Sequence, residues 1–523
     1  MAERRRPSVA VIGAGPAGLA AALAAAARGV HVLLVDSGGE PGGQFYRQPA
    51  PGLGARAPQR LHHQWRTWER LRAGLAAHLA AGWITHLSDH HVWFAERESR
   101  GFAVHALPGP AQTESVTVRA DAVLLATGGY ERVLPFPGWT LPGVVTAGGA
   151  QAMLKGGLVL PGRRVVVAGT GPLLLPVATG LATAGAEVAA LVESAAPVAF
   201  LRHARTLAAE PAKLVEGAGY AVRLLGRRTE LMFRHIVVAA HGDRRQRLGS
   251  ATVAALDPAG RERPGTRRRI ACDTLAVGHG MLPHTDLAET LGCRLAGQAV
   301  QVDGEQRTTV PGVWAAGEAT GIGGAALALA EGHIAGRSLA ARLRGAEPDP
   351  RAWAAADRAR TRLRRFFAAL DEVYVPPAPR PELIPDDTVV CRCEEVTAGA
   401  VREAAGALGA GDLRTVKLLT RAGMGWCQGR MCAPGVAALA GCEPADTRRP
   451  FARPVPLGVL ADGEHDEHSE NDTQDEHGEH DEHDEHDEHD EHVDQGDHGE
   501  HDEHVDQGDH GDHGDHRNRG SHD

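Results

Sequence analysis

Four of the seven cysteines fall in one stretch, Cys391 and Cys393 in CRCEEV and Cys427 and Cys432 in WCQGRMC. Cysteine thiolate is the usual ligand of iron–sulfur clusters and also serves structural zinc. A CxC pair and a CxxxxC pair joined by a helix-forming segment can converge on one metal centre. Zinc modules usually bring CxxC-like pairs, a spacing neither pair has, so the four read as one [2Fe-2S] site. A four-thiolate zinc site is the main rival, and a disulfide pair is the third reading. Cys272, Cys293 and Cys442 are scattered, and the first two stand in apolar surroundings that suit core residues.

The elements that would deliver electrons to such a centre begin at the other end of the chain. Ser8 to Ile12 reads as a buried strand, followed by Gly13-Ala-Gly15-Pro-Ala-Gly18 and an Ala/Leu helix. Gly13 suits a tight turn, Gly15 lets the backbone approach a pyrophosphate, and Gly18 lets helix and strand pack closely. The next strand ends at Asp36, placed to accept from a ribose hydroxyl. A glycine-rich loop with Gly43, Gln44 and Arg47 continues where a flavin would extend, and DAVLLATGG brings Gly128 beneath the same nucleotide. Far downstream, a strand ending at Gly317 and Glu318, then Gly323, Gly324 and Ala325 at a helix start, would hold the ribityl-phosphate region. The common pattern has Asp where Glu318 stands. Together these segments predict an FAD fold.

Residues 164 to 193 repeat the unit of strand, glycine turn, helix, strand and acid, the architecture of two-dinucleotide flavoproteins. Gly169 and Gly171 are present, but Leu174 takes the third glycine position, where its side chain is expected to push the helix off the strand. Glu193 would accept from a free 2′-hydroxyl and repel a 2′-phosphate. Any nicotinamide cofactor the second fold holds is therefore expected to be NAD(H) rather than NADP, and another adenine nucleotide or no ligand stands as an equal alternative. Between Met1 and Ala271 there is no cysteine, which excludes a redox disulfide beside the flavin. Electrons must leave as hydride or singly. No residue is nominated as a general base.

Charge divides the chain. Residues 461–523 carry 27 acids against two arginines, with 15 of the 29 histidines; the remainder carries 53 bases against 39 acids. That tail is expected to be a disordered, solvated repeat, with weak many-point binding of divalent metal ions as the second reading. No nucleic-acid motif and no run long enough for a membrane span is present, and the Arg-then-Ala-rich start reads as part of the first fold, so a soluble cytoplasmic protein is expected. The expected order is an FAD domain over 1–150, a second nucleotide domain over 151–270, the returning FAD part over 271–345, a helical segment and Pro-rich linker over 346–386, the cluster domain over 387–460 and the tail over 461–523. The fold class is α/β, two Rossmann-like dinucleotide domains in the manner of glutathione and thioredoxin reductases, plus a small helical [2Fe-2S] domain.

GAGPAGLAAA, GGQFYRQ, PGWTLPGVVTAGGAQ, VVVAGTGPLLLPVA, EATGIGGAALALAEG, CRCEEVT and RAGMGWCQGRMCAPGVAAL occur in this order. From about Val9 to Leu460 the chain thereby resembles the FAD-containing alpha (A) subunits of opine oxidases, hydrogen cyanide synthase and dye-linked proline and D-hydroxyproline dehydrogenases. The cluster segment resembles bacterioferritin-associated-ferredoxin-type [2Fe-2S] domains, which implies Cys391, Cys393, Cys427 and Cys432 as ligands. The resemblance implies an electron-transfer subunit of a heteromeric amino-acid or opine dehydrogenase. Its implied partner is an FAD-dependent beta subunit of glycine- or D-amino-acid-oxidase type, with a small ferredoxin-like subunit as a further candidate. A stand-alone NADH:acceptor oxidoreductase is the second reading, and a metal-handling or interaction protein on an inactive flavin fold the third.

Overall fold

The computed structural model describes residues 6–376, 381–443 and 449–461. The tail beyond Ala461, with its expected disorder and metal binding, and residues 377–380 of the linker lie outside the described residues.

Two copies of one architecture carry the chain. The first is a parallel five-stranded sheet in the order Val313–Ala315, Ala122–Leu125, Ser8–Ile12, His31–Val35, Ile84–Leu87. Its central strand is apolar at nearly every position and buried throughout, as a parallel strand covered on both faces must be. An antiparallel sheet of His90–Arg97, Phe102–Pro108 and Val116–Ala120 adjoins it. The helix Pro16–Ala26 is built mostly of alanine, and the helix Gly324–Leu343 packs on it through small residues. A Cβ at Gly332 would lie 2.1 Å from the Ala17 carbonyl oxygen, so the two backbones touch.

The second copy is parallel in the order Glu230–Phe233, Glu187–Glu193, Arg164–Thr170, Thr274–His279, Val144–Thr146, with its own antiparallel sheet of His235–Gly242, Leu248–Ala255 and Arg268–Ala271. Two expected limits shift. Val144–Thr146 and Thr274–His279 both pair within this second sheet, so it takes strands from outside 151–270. The segment after Cys272 completes the second fold before the chain returns. The chain then forms two helices, Gly324–Leu343 and Ala354–Val373. The break follows from Gly345 at φ +72° and from Pro348 and Pro350, which lack the N–H a helix needs.

Leu174 does not push its helix away. It is fully buried at the start of helix Leu174–Thr183, and the space it needs comes from Gly278 on the neighbouring strand. A Cβ there would come within 3.3 Å of a Leu174 methyl carbon.

The cluster module comprises a short hairpin, Val389–Cys391 and Val396–Thr397, and helices Ala398–Ala405, Leu413–Thr420 and Ala433–Ala440. Asp412 caps the middle helix, accepting from the Thr415 N–H at 3.0 Å. The module is bolted to both dinucleotide folds. Trp139 Nε1 donates to the Val389 carbonyl at 2.6 Å, and Asp286 of the first fold pairs with Arg430 at 2.9 Å and with Arg449. Burial would raise the Asp286 pKa, but His284, Arg430 and Arg449 outweigh it and hold the carboxylate well below the usual range.

Candidate functional site

The four cysteines line one cavity of about 130 Å³ between the module and the second sheet. Cys391 and Cys432 are buried, Cys427 is half-buried and Cys393 stands at the rim. Arg132, Phe136, Trp139 and His279 close the opposite wall. Backbone amides point at the sulfurs: Gly423 N–H to Cys391 Sγ at 3.5 Å, Gly429 and Met431 to Cys427, and Cys427 to Cys393. The Cys432 thiol, the Met431 and Gly429 N–H groups and the Cys393 thiol hold Cys427 down at about 5 against burial, favouring a thiolate there. Four convergent thiols in an apolar pocket, with N–H donors on sulfur, fit an iron–sulfur cluster.

In the first fold, Gly18 is obligatory because a Cβ would lie 1.8 Å from the Gly13 carbonyl oxygen. Gly13 has φ +106° and leaves no room beside Ala126. Gly43 folds the following loop back on the turn, and a Cβ on it would come within 2.8 Å of the Gly15 Cα. Asp36 accepts from the Ala14, Gly38 and Ser37 N–H groups, yet burial dominates and pushes its carboxyl up to about 6. Gln44 Oε1 accepts from Arg47 at 2.9 Å on the same loop. Lys155 reaches this loop from another element and donates to the Phe45 carbonyl at 3.1 Å; burial first, then Arg47, lowers its pKa to about 8. Gly128 faces open space, and Thr127 beside it donates to the His284 carbonyl at 2.6 Å.

The downstream flavin segment is held by two residues that sequence reasoning missed. Glu331, fully buried, accepts from the Gly317 N–H at 3.0 Å and the Thr320 hydroxyl at 3.0 Å, and it pairs with Arg364 of helix Ala354–Val373 at 2.5 Å. The one clue to it was a lone acid in ALALAEG. Glu318 accepts from the Gly324 N–H, and burial raises its pKa. Gly323 precedes the helix Gly324–Leu343, and Ala325 is buried in its first turn.

One cleft of about 360 Å³ brings part of this together. Gly13 and Asp36 line it from the first fold, and Cys427, with Trp426 and Arg430, from the cluster module. Cys427 thus borders both the cluster cavity and the nucleotide cleft. Gln44, Arg47, Gly317, Glu318 and Gly324 lie outside its wall.

The second fold is built differently at the matching place. Gly169 is sterically obligatory, since a Cβ would lie 1.7 Å from the Gly278 carbonyl oxygen. Glu193 reaches one residue further along its turn than Asp36 does. It takes the N–H of Gly171 at 3.1 Å and that of Ala195 at 2.8 Å. Burial pushes its carboxyl up to about 7. Tyr374, at the end of helix Ala354–Val373, stands close enough that Glu193, after burial, helps raise its phenol.

Residues 7–332 match the family model described as pyridine nucleotide-disulphide oxidoreductase. The chain belongs to that family. Residues 389–440 match the BFD-like [2Fe-2S] binding domain, which decides for an iron–sulfur cluster over zinc in this segment. The chain is 35% identical to the HcnB subunit of hydrogen cyanide synthase of Pseudomonas aeruginosa, over 81% of its length and 90% of that protein. It is 33% identical to the A subunit of the opine oxidase of Agrobacterium tumefaciens, over 87% and 91%. The solved L-proline dehydrogenase from P. horikoshii shares the fold, with a TM-score of 0.59 and 19% identity over 88% of this chain and 81% of that one. The family member described here is therefore a flavin oxidoreductase with FAD and a [2Fe-2S] cluster as its cofactors. The disulphide of the family name has no counterpart, because no cysteine precedes Cys272. Among the described residues, no helix is long and apolar enough to cross a membrane.

Proposed function

We propose that this chain is the electron-transfer subunit of a heteromeric amino-acid or opine dehydrogenase, working beside an FAD-dependent subunit of glycine- or D-amino-acid-oxidase type that oxidises the amine. The supporting observation is Cys427, which borders both the nucleotide cleft and the cluster cavity. FAD supplies exchange of hydride equivalents and of single electrons, and the cluster supplies single electrons only. The chain's own contribution is positional. Gly13, Gly15 and Asp36 hold the dinucleotide, Glu331 and Arg364 fix the Gly317 loop, and Cys391, Cys393, Cys427 and Cys432 hold the cluster against the sheet.

A stand-alone NADH reductase is disfavoured by Glu193. In the second fold the amide of Gly171, which would face a pyrophosphate, already donates to the Glu193 carboxyl and is not free for a phosphate oxygen. Tyr374 and Phe200, in edge contact at 5.6 Å, belong to the apolar cluster that helix Ala354–Val373 forms with Leu207.

The test is reconstitution with a glycine-oxidase-like flavoprotein and a secondary amine under anaerobic conditions. The cluster should become reduced only when partner and amine are both present. Equal reduction by NADH without a partner would favour the stand-alone reductase.

A further inference from the structure

The cleft that holds Gly13 and Asp36 is completed by the cluster module, and two of the residues it contributes have no other assignment. Arg430 is committed to Asp286 and to the Cys427 and Ala452 carbonyls. Arg453 is not. Its Nη2 donates to Gln112 at 2.7 Å and its guanidinium lies 5.8 Å from the Trp426 ring centre, but its Nε is buried without a hydrogen-bond partner. Trp426 is 68% exposed although it sits in a turn fixed by N–H···S contacts, so its indole face is open. A buried guanidinium N–H without an acceptor is costly unless a ligand supplies one.

The order of groups along a dinucleotide gives these residues a task. The glycine turn at Gly13 is placed for the pyrophosphate and Asp36 for the ribose, which leaves the base to the rest of the wall, where His91, Val92, Trp426 and Arg453 stand. We propose that Trp426 and Arg453 form the adenine subsite for FAD, the indole stacking on the base and Arg453, beside the indole, offering Nε–H to a ring nitrogen at the edge of the base. The subsite rests on FAD occupying the first fold. It makes the cluster module part of the cofactor's binding site, since Trp426 adjoins the ligand Cys427.

Calorimetric titration of the deflavinated full chain with ADP tests it, with iron content and thermal midpoint measured on the same samples. Trp426→Ala and Arg453→Met should each weaken ADP about tenfold with iron content unchanged, and Trp426→Phe should restore most of the affinity, as stacking on an aromatic requires. If Trp426→Ala sheds iron, Arg453→Met, which is not next to a ligand, carries the test. Wild-type ADP affinity in an Arg453→Met protein that keeps its iron would overturn the subsite. Wild type that binds neither ADP nor FAD would instead overturn the FAD occupancy on which the subsite rests.

Discussion

Cys427 and Asp36 face the same cleft from different modules, one the proposed cluster ligand and the other the proposed ribose acceptor. Nearly four hundred positions of chain separate them, and Asp286, paired with Arg430 and Arg449, ties the two modules together. Asp286→Asn should leave each fold intact but loosen the module. The expected result is faster proteolysis of the segment around residue 380 and slower cluster reduction, with iron content retained. Unchanged proteolysis would show that Trp139 and the apolar contacts suffice.

Cluster ligation separates the cysteines cleanly. Cys427→Ser should cut iron and acid-labile sulfide to a small fraction of wild type, and Cys391→Ser and Cys432→Ser should do the same. Cys272→Ser should leave both unchanged, because Cys272 is buried in the second fold among apolar side chains. Iron analysis of the purified variants decides this.

Much of the centre was legible in the sequence for local reasons. The CxC and CxxxxC spacings and the strand–turn–helix around Gly13 are set by neighbours a few residues away. What escaped depends on distant partners. Leu174 looked obstructive because the vacancy that accepts it belongs to Gly278, on another strand. Val144–Thr146 is too short to announce itself as a strand until Thr274–His279 pairs with it. Glu331 declared its role only through Arg364 and Gly317, and Trp426 only through a cleft shared between modules.

Two glycines of the first turn should fail in different ways. Gly18→Ala places a Cβ 1.8 Å from a carbonyl oxygen and should cost at least about 3 kcal/mol, seen as loss of folded protein. Gly15→Ala has room, with its nearest neighbour 3.9 Å away and φ at −74°, and should change stability by less than about 0.5 kcal/mol. Its FAD affinity should nevertheless fall roughly tenfold or more, because the pyrophosphate must approach that backbone. Thermal melts and flavin retention separate the two.

Breaking the buried pair at the flavin loop should be severe. Glu331→Ala leaves Arg364 and the Gly317 N–H without their acceptor, and a loss of about 3–5 kcal/mol is expected in denaturant unfolding.

Glu193 makes stability depend on pH. Its folded pKa is raised from 4.5 to about 7, so the folded state binds the proton more tightly than the unfolded chain. Its contribution is therefore fully present below about pH 4.5 and declines as pH rises towards 7, by up to roughly 3 kcal/mol. Glu193→Gln should flatten this part of the wild-type profile between pH 4.5 and 7, measured as the difference between the two unfolding curves. Parallel profiles would show that the carboxyl is already ionised in the folded protein.

The most direct test of the relay uses the full chain purified anaerobically. Iron, acid-labile sulfide and the visible spectrum are recorded, then NADH and dithionite are added in turn. Two irons and two sulfides per chain with flavin bands, unmoved by NADH and bleached by dithionite, are expected if electrons arrive from a partner subunit. Bleaching of flavin and cluster by NADH alone would contradict that route, and zinc in place of iron would contradict the cluster itself.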